Sequence, residues 1–269
     1  LRKAVAVSRS RSREVLRRDA AGPPDPGCYN RSTLRVDVTD PRRGASASGR
    51  QHRGGILENV AITGRGVISS IGLDLPTFNA NLLAGKVVAG PPRGAKDGDN
   101  IWMSLIPDFD PLRWMEDRVV RNSARFAHYA IAAAAQAVED AGLDRFDPIR
   151  TAVIVGSALG GVDWDAENQA ILDSQGADAV SNKFMANCLL NMPAAHIALR
   201  FGLHGPQLSI ATACASSHDA MGLAARMIES GQIDVAIAGG TDSPISPLVY
   251  FGARNNKMYT PQPDPLKTC

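Results

Sequence analysis

Thr212, Ala213, Cys214, Ala215, Ser216 and Ser217 place a cysteine where a strand gives way to a helix. Residues 207–213 (QLSIATA) predict a short buried strand. Residues 215–230 predict a helix with Ala215, Met221, Leu223, Ala224, Met227 and Ile228 at its apolar positions. A helix start carries unpaired N–H groups and the positive end of the dipole, and both favour a thiolate over a thiol. Cys214 is therefore a candidate nucleophile. Spacing alone leaves a second reading open and gives it more weight, that of a packed, inert thiol.

Three other groupings invite chemistry. His218 follows Cys214 by four residues, a neighbouring position on a helix, and a Cys–His pair competes there with a plain polar residue near the helix start. Gly156 to Gly161 (GSALGG) follows an apolar run, but it has neither the dinucleotide nor the P-loop spacing, which argues against a nucleotide site. Asp163 to Glu167 (DWDAE) lacks the glycine and the distal glutamate of a calcium loop and reads as a solvated helix start. The cysteines Cys28, Cys188, Cys214 and Cys269 are far apart without a C-x-x-C, so neither a metal site nor a disulfide scaffold is expected. A reducing, cytoplasmic setting fits that usage.

The elements that must hold Cys214 follow from periodicity. Strands are predicted at 59–64, 151–156, 207–213 and 233–238. Helices are predicted at 73–83, 123–141, 166–173, 193–201 and 215–230, with Gly85, Gly142 and Gly202 as stops. Residues 88–100 read as a solvent loop and 107–121 as irregular. The alternation specifies an α/β layered architecture, and no short internal repeat is present.

The chain of 269 residues has a net charge of +2 that hides an asymmetry: residues 1–55 carry +8 and the remainder −6. An acidic body argues against a nucleic-acid surface. No apolar run is long enough to span a membrane. The first 55 residues are rich in Arg, Ser, Gly and Pro and read as a mostly disordered leader. A transit peptide, a basic arm and a segment upstream of the true start compete for it. The last is favoured, because the chain begins with Leu1 and its first methionine is Met103. Asn30, Arg31 and Ser32 match a glycosylation triplet with nothing else pointing to secretion.

Gly202 to Pro206 (GLHGP), the TACASS run and Ala238 to Asp242 (AGGTD) together resemble the nucleophile region of the β-ketoacyl-acyl-carrier-protein synthases. Val60 to Gly64, Gly66 to Gly72, the Ala-rich stretch from Ala127 to Leu143 and Val153 to Gly161 resemble further segments of that family, in its order. The likeness runs from about Asn59 to Tyr259. It implies the first half of the duplicated thiolase-like layered fold (αβαβα), with 56–269 as an N-terminal synthase domain truncated at its C-terminal end.

The resemblance also implies an activity: decarboxylative Claisen condensation of an acyl thioester with a malonyl thioester on acyl carrier protein, without a cofactor, in a homodimer. Cys214 would be the acylated nucleophile and its backbone N–H an oxyanion donor. Leu159 would border the acyl chain. Phe184, Met185, Cys188 and Leu189 would line a partner's pocket, and Phe251 a further wall. Core packing is the competing reading for Leu159 and for the Phe184–Leu189 segment. Asp242 stands where the family more often has glutamate, which weakens any role carried over to it. None of His52, His128, His196, His204 or His218 matches the family's catalytic histidines, so a catalytically incomplete fragment or a partner-binding subunit is the alternative. Another thiolase-fold enzyme is a third.

Overall fold

The computed structural model describes residues 3–9, 60–92, 95–96, 98–106, 108–258, 263–264 and 267. One five-stranded sheet organises them. Its strands are β1 (Lys3–Arg9), β2 (Val60–Val67), β3 (Thr151–Gly156), β4 (Gln207–Ile210) and β5 (Val235–Gly240), in the order β2-β1-β5-β3-β4. β3 pairs in parallel with both β4 and β5, while β1 runs antiparallel to β2 and β5.

Helices cover both faces. They are α1 (Leu75–Leu83), α2 (Asp117–Arg121), α3 (Arg125–Asp140), α4 (Val162–Gln175), α5 (Phe184–Asn187), α6 (Met192–Phe201), α7 (Ser216–Glu229) and α8 (Pro247–Asn255). Strand alternation decides which side chains meet which helix. Val153, Val155 and Ile237 pack with Ala130, Ala133, Ala134 and Ala137 of α3 and Ile197 of α6. The intervening residues Ala152, Ile154, Ala236 and Ala238 pack with Ala220, Ala224, Met227 and Ile228 of α7. The result is the layered α/β arrangement that the periodicity implied.

The alanine run of α3 lets β2 come unusually close. A Cβ on Gly64 or Gly66 would lie 2.0 or 1.9 Å from the carbonyl oxygens of Ala137 or Ala133. Helix ends follow the expected local chemistry. The Asp74 carboxylate caps α1 by accepting from the Thr77 N–H at 2.8 Å, and Gly202 closes α6 at φ +63°.

Some expectations need correction, among them the irregular stretch 107–121, which holds α2. Lys3–Arg9 form a strand rather than disordered chain, because the alternating KAVAV pattern was diluted in a composition averaged over 55 residues. The remainder of the expected leader, with Cys28, lies outside the described residues, as does Cys269. β4 is not buried: Leu208 is 38% exposed, since β4 sits at the sheet edge bonded to β3 alone among the named strands. It also ends three residues early, at Ile210. α8 was not predicted at all.

α3 carries a histidine that makes the fold acid-sensitive. His128 is buried, with its Nε2 3.0 Å from Ser123 Oγ, and burial pushes its pKa down to about 4 from 6.5. Burial lowers His196 as well. Between the folded and unfolded pKa values the unfolded chain binds more protons, so stability falls as pH drops through that window. From about pH 7.5 to 4.5, His128 alone contributes a loss of about 2–3 kcal/mol. Urea unfolding at both pH values is expected to show that His128→Gln removes this share of the acid sensitivity. An unchanged pH dependence in the variant would contradict it.

Candidate active site

Cys214 sits in a single 3-10 turn, Ala213–Ala215, between the end of β4 and the first residue of α7. Strand pairing stops at Ile210 because Ala213 turns into the left-handed region, at φ +52°. A side chain with a Cβ seldom adopts that conformation, and doing so costs on the order of 1–3 kcal/mol. Neighbouring bonds hold it there. The buried Ser216 hydroxyl accepts from the Thr212 N–H at 2.9 Å and donates to the Ala213 carbonyl at 2.7 Å. The Thr212 hydroxyl in turn donates to Asp219, one turn into α7, at 2.5 Å. The turn lifts Cys214 into solvent at the start of α7.

The sheet delivers a second loop to the same place. β3 ends at Gly156, and a Cβ there would be 2.2 Å from the Ser216 carbonyl oxygen. A Cβ on Gly240, at the end of β5, would be 2.6 Å from Ser217 Cβ. These close approaches seat the first residues of α7 directly on the strand ends. Ser216 Oγ also lies 3.3 Å from the Ser157 carbonyl, so the β3 loop and the cysteine turn share one hydroxyl.

The loop of residues 157–161 forms a nest of backbone donors, and Asp242 fills it. The Asp242 carboxylate accepts from the N–H groups of Ala158 (3.1 Å), Leu159 (2.7 Å) and Gly160 (2.9 Å) and from Ser157 Oγ (2.9 Å). The anion that occupies the donors of this glycine-rich turn is thus an internal carboxylate. From two residues beyond β5 its Oδ1 accepts from every one of these donors, and its Oδ2 also accepts from the Ala158 N–H.

Asp163, at the start of α4, is 3% exposed; desolvation raises its pKa, while Ser243 hydroxyl donation and Arg125, 3.7 Å away, oppose the shift. The acidic run is therefore partly buried rather than wholly solvated. Its Ser243 bond ties α4 to the segment after β5. Among the described residues no group of three or more His, Cys, Asp or Glu could hold a metal ion.

The structure brings most of the predicted pocket residues to one face. Leu159 is 52% exposed at the tip of the Asp242-held loop. Leu189 is 49% exposed, and Phe184 and Cys188 are half-buried on or beside α5. This segment is anchored to the loop and to β4: Leu190 packs against Gly160, and Ser209 Oγ donates to the Leu190 carbonyl at 2.9 Å. Leu159, Met185 and Leu189 are thus outside the core that the described residues form. Phe251 stands apart on α8, its ring 5.0 Å from Tyr250 and under the Arg254 guanidinium. His218 is exposed on the first turn of α7, and no bond in the structure pairs it with Cys214.

Sequence reasoning gave Ser216 and Asp219 no role in this site and discounted Asp242, whose bonds reach residues 82–85 positions away. The Ser216 bonds to Thr212 and Ala213 and the Thr212–Asp219 bond are the local signals.

Residues 57–269 match the family described as Beta-ketoacyl synthase, N-terminal domain. The chain belongs to that family. The β-ketoacyl synthase relationship is also visible in individual relatives. The chain is 34% identical over 197 residues to the 3-oxoacyl-[acyl-carrier-protein] synthase 2 of Coxiella burnetii, a match covering 72% of this chain and 48% of the relative. It is 35% identical over 204 residues to the putative polyketide beta-ketoacyl synthase 1 of Streptomyces halstedii, covering 70% and 47%. Among solved structures, the ishigamide ketosynthase/chain length factor superposes with a TM-score of 0.68 at 28% identity, covering 75% of this chain and 51% of that one. The chain therefore spans about half the length of the curated relatives it matches, and its layers correspond to the N-terminal half of the thiolase-like fold.

Proposed function

We propose that this β-ketoacyl synthase chain carries the acyl-accepting part of a decarboxylative condensing site, with Cys214 as the nucleophile. The observation that supports it best is the strained, clamped turn that holds Cys214 in solvent at the start of α7. The Cys214 thiolate attacks the carbonyl carbon of an acyl thioester. The Cys214 backbone N–H stabilises the resulting oxyanion. Collapse breaks the bond to the carrier sulfur, which leaves as a thiol with the proton given up by Cys214. Loss of CO2 from a malonyl thioester then supplies an enolate, whose carbon attacks the acyl-cysteine and expels the Cys214 thiolate.

Leu159, Phe184 and Leu189 are proposed to border the acyl chain, with Phe251 as a further wall. The carrier is acyl carrier protein, as the relatives' names state for them. The edge strand β4, with Leu208 exposed on it, suits a second copy of the chain, forming a homodimer. A cytoplasmic location accords with the cysteine usage, and among the described residues no helix is long and apolar enough to cross a membrane.

A narrower second reading rests on the half-length match: the 269-residue chain alone accepts an acyl group without condensing it. Incubation with an acyl thioester, followed by intact-mass analysis and peptide mapping, tests both. One acyl group on Cys214 is expected, with none in Cys214→Ala. Acylation that persists in Cys214→Ala, or that maps to Cys188, overturns the assignment. Condensation product from the purified chain overturns the narrower reading.

A further inference from the structure

Phe184 and Leu189 stand on and beside a helix too short to hold itself. α5 has four residues, and no side chain caps its start. A lone turn of helix is unstable, because nucleation fixes several dihedral angles for one hydrogen bond. The place of α5 is therefore set by what it is bonded to.

Asn187 is the buried residue of α5, at 1% exposure. Its Nδ2 donates to the Asn122 carbonyl at 2.7 Å and to the Lys183 carbonyl at 3.2 Å. Asn122 is the C-cap of α2, 65 positions away in the chain. One amide thus satisfies a carbonyl at the end of α2 and reaches back to the N-cap of α5. Oδ1 of the same amide is buried with no hydrogen-bond partner among the described residues. A buried acceptor left unpaired lowers stability, so packing alone does not account for an asparagine here. Other side chains hold only the flanks of α5. Asn168 Oδ1 accepts from the Ser181 N–H at 3.2 Å before it, and Ser209 Oγ donates to the Leu190 carbonyl at 2.9 Å beyond it.

We propose, on the reading that Phe184 and Leu189 border the acyl chain, that Asn187 is a positioning residue for that chain. By tying α5 to the end of α2 it sets where the two side chains stand, and so which chain lengths Cys214 accepts. An acetyl group offers one methyl to such a wall, whereas an octanoyl chain offers a run of methylenes. Displacing the wall therefore costs the longer chain more.

The test uses the full chain with acetyl and octanoyl pantetheine thioesters. Rates of Cys214 acylation are compared as the octanoyl-to-acetyl ratio, which does not depend on the fraction of protein that is folded. Asn187→Ala is expected to lower this ratio at least about fivefold, as is Leu189→Ala. The double variant should fall little further, because both changes act on one wall. Asn182→Ala, exposed just before α5, should keep the wild-type ratio. A wild-type ratio in Asn187→Ala beside a lowered one in Leu189→Ala overturns the role of Asn187 and leaves the wall standing. A wild-type ratio in Leu189→Ala, or no acylation of Cys214, removes the wall and the role of Asn187 with it.

A second readout needs no acyl chain. Cys188 follows Asn187 and is half-buried. Iodoacetamide should alkylate it at least about fivefold faster in Asn187→Ala than in the wild type, as α5 comes loose. Equal rates overturn the tether. Where Asn187→Ala does not fold, Asn187→Leu serves, since it fills a similar volume without the donors. Loss of the fold in both variants also overturns the proposal, because Asn187 would then hold the domain and not the wall.

Discussion

Asp242→Ala is expected to cost about 2–4 kcal/mol of stability and to lower the rate of Cys214 acylation at least tenfold. The carboxylate gathers three backbone N–H groups and the Ser157 hydroxyl into one loop. Removing it leaves those donors converging on nothing, and bonds to a charged acceptor are among the stronger ones. The loss passes to the nucleophile through Ser157, whose carbonyl meets the Ser216 hydroxyl that clamps the cysteine turn. Asp242→Asn should be intermediate, because its amide oxygen can take the place of Oδ1, which accepts all four bonds, while the charge is lost and the amide N–H2 faces the Ala158 N–H. Asp242→Glu keeps the charge and should recover most of the stability. Urea unfolding together with acylation kinetics makes the comparison, and wild-type stability in Asp242→Ala would refute the nest as described.

Gly156→Ala is expected to be the more disruptive change for its size. The added methyl would fall 2.2 Å from the Ser216 carbonyl, where only backbone can yield. Overpacking of this kind costs about 1–3 kcal/mol, and here the strain falls on the first turn of α7. Acylation should drop tenfold or more, even at temperatures where the variant stays folded. Gly90→Ala is the matched control: a Cβ there meets nothing within 4 Å, and its effect should stay within about 0.5 kcal/mol. Equal effects of the two substitutions would show that the contact between the end of β3 and the start of α7 does not position Cys214.

The elements most legible in the sequence are those whose stabilising contacts are periodic. α3 appears within two residues of its expected limits, and β3 matches at both ends. Each shows a clean apolar pattern over its whole length. β4 was read too long because Ile210, Ala211, Thr212 and Ala213 have strand-like composition, and nothing local announces that Ala213 will turn left-handed. α4 was read too short because its polar first turn gave no apolar stripe. α8 went unread although Pro247 marks its first position.

By itself the sequence determined that the nucleophile candidate is Cys214, that a strand and a helix meet around it, and that the surrounding motifs belong to one family. Local propensity and residue type carry that information, because it concerns groups within a few residues of one another. The tertiary structure decided what holds the cysteine in place. Ser157 and Asp242 lie 85 positions apart, and their bond exists only because β3 and β5 are neighbours in the sheet. β1 is the extreme case: a short alternating segment becomes the strand that joins β2 to β5, because a sheet of this order leaves its ladder bonds unmade without it.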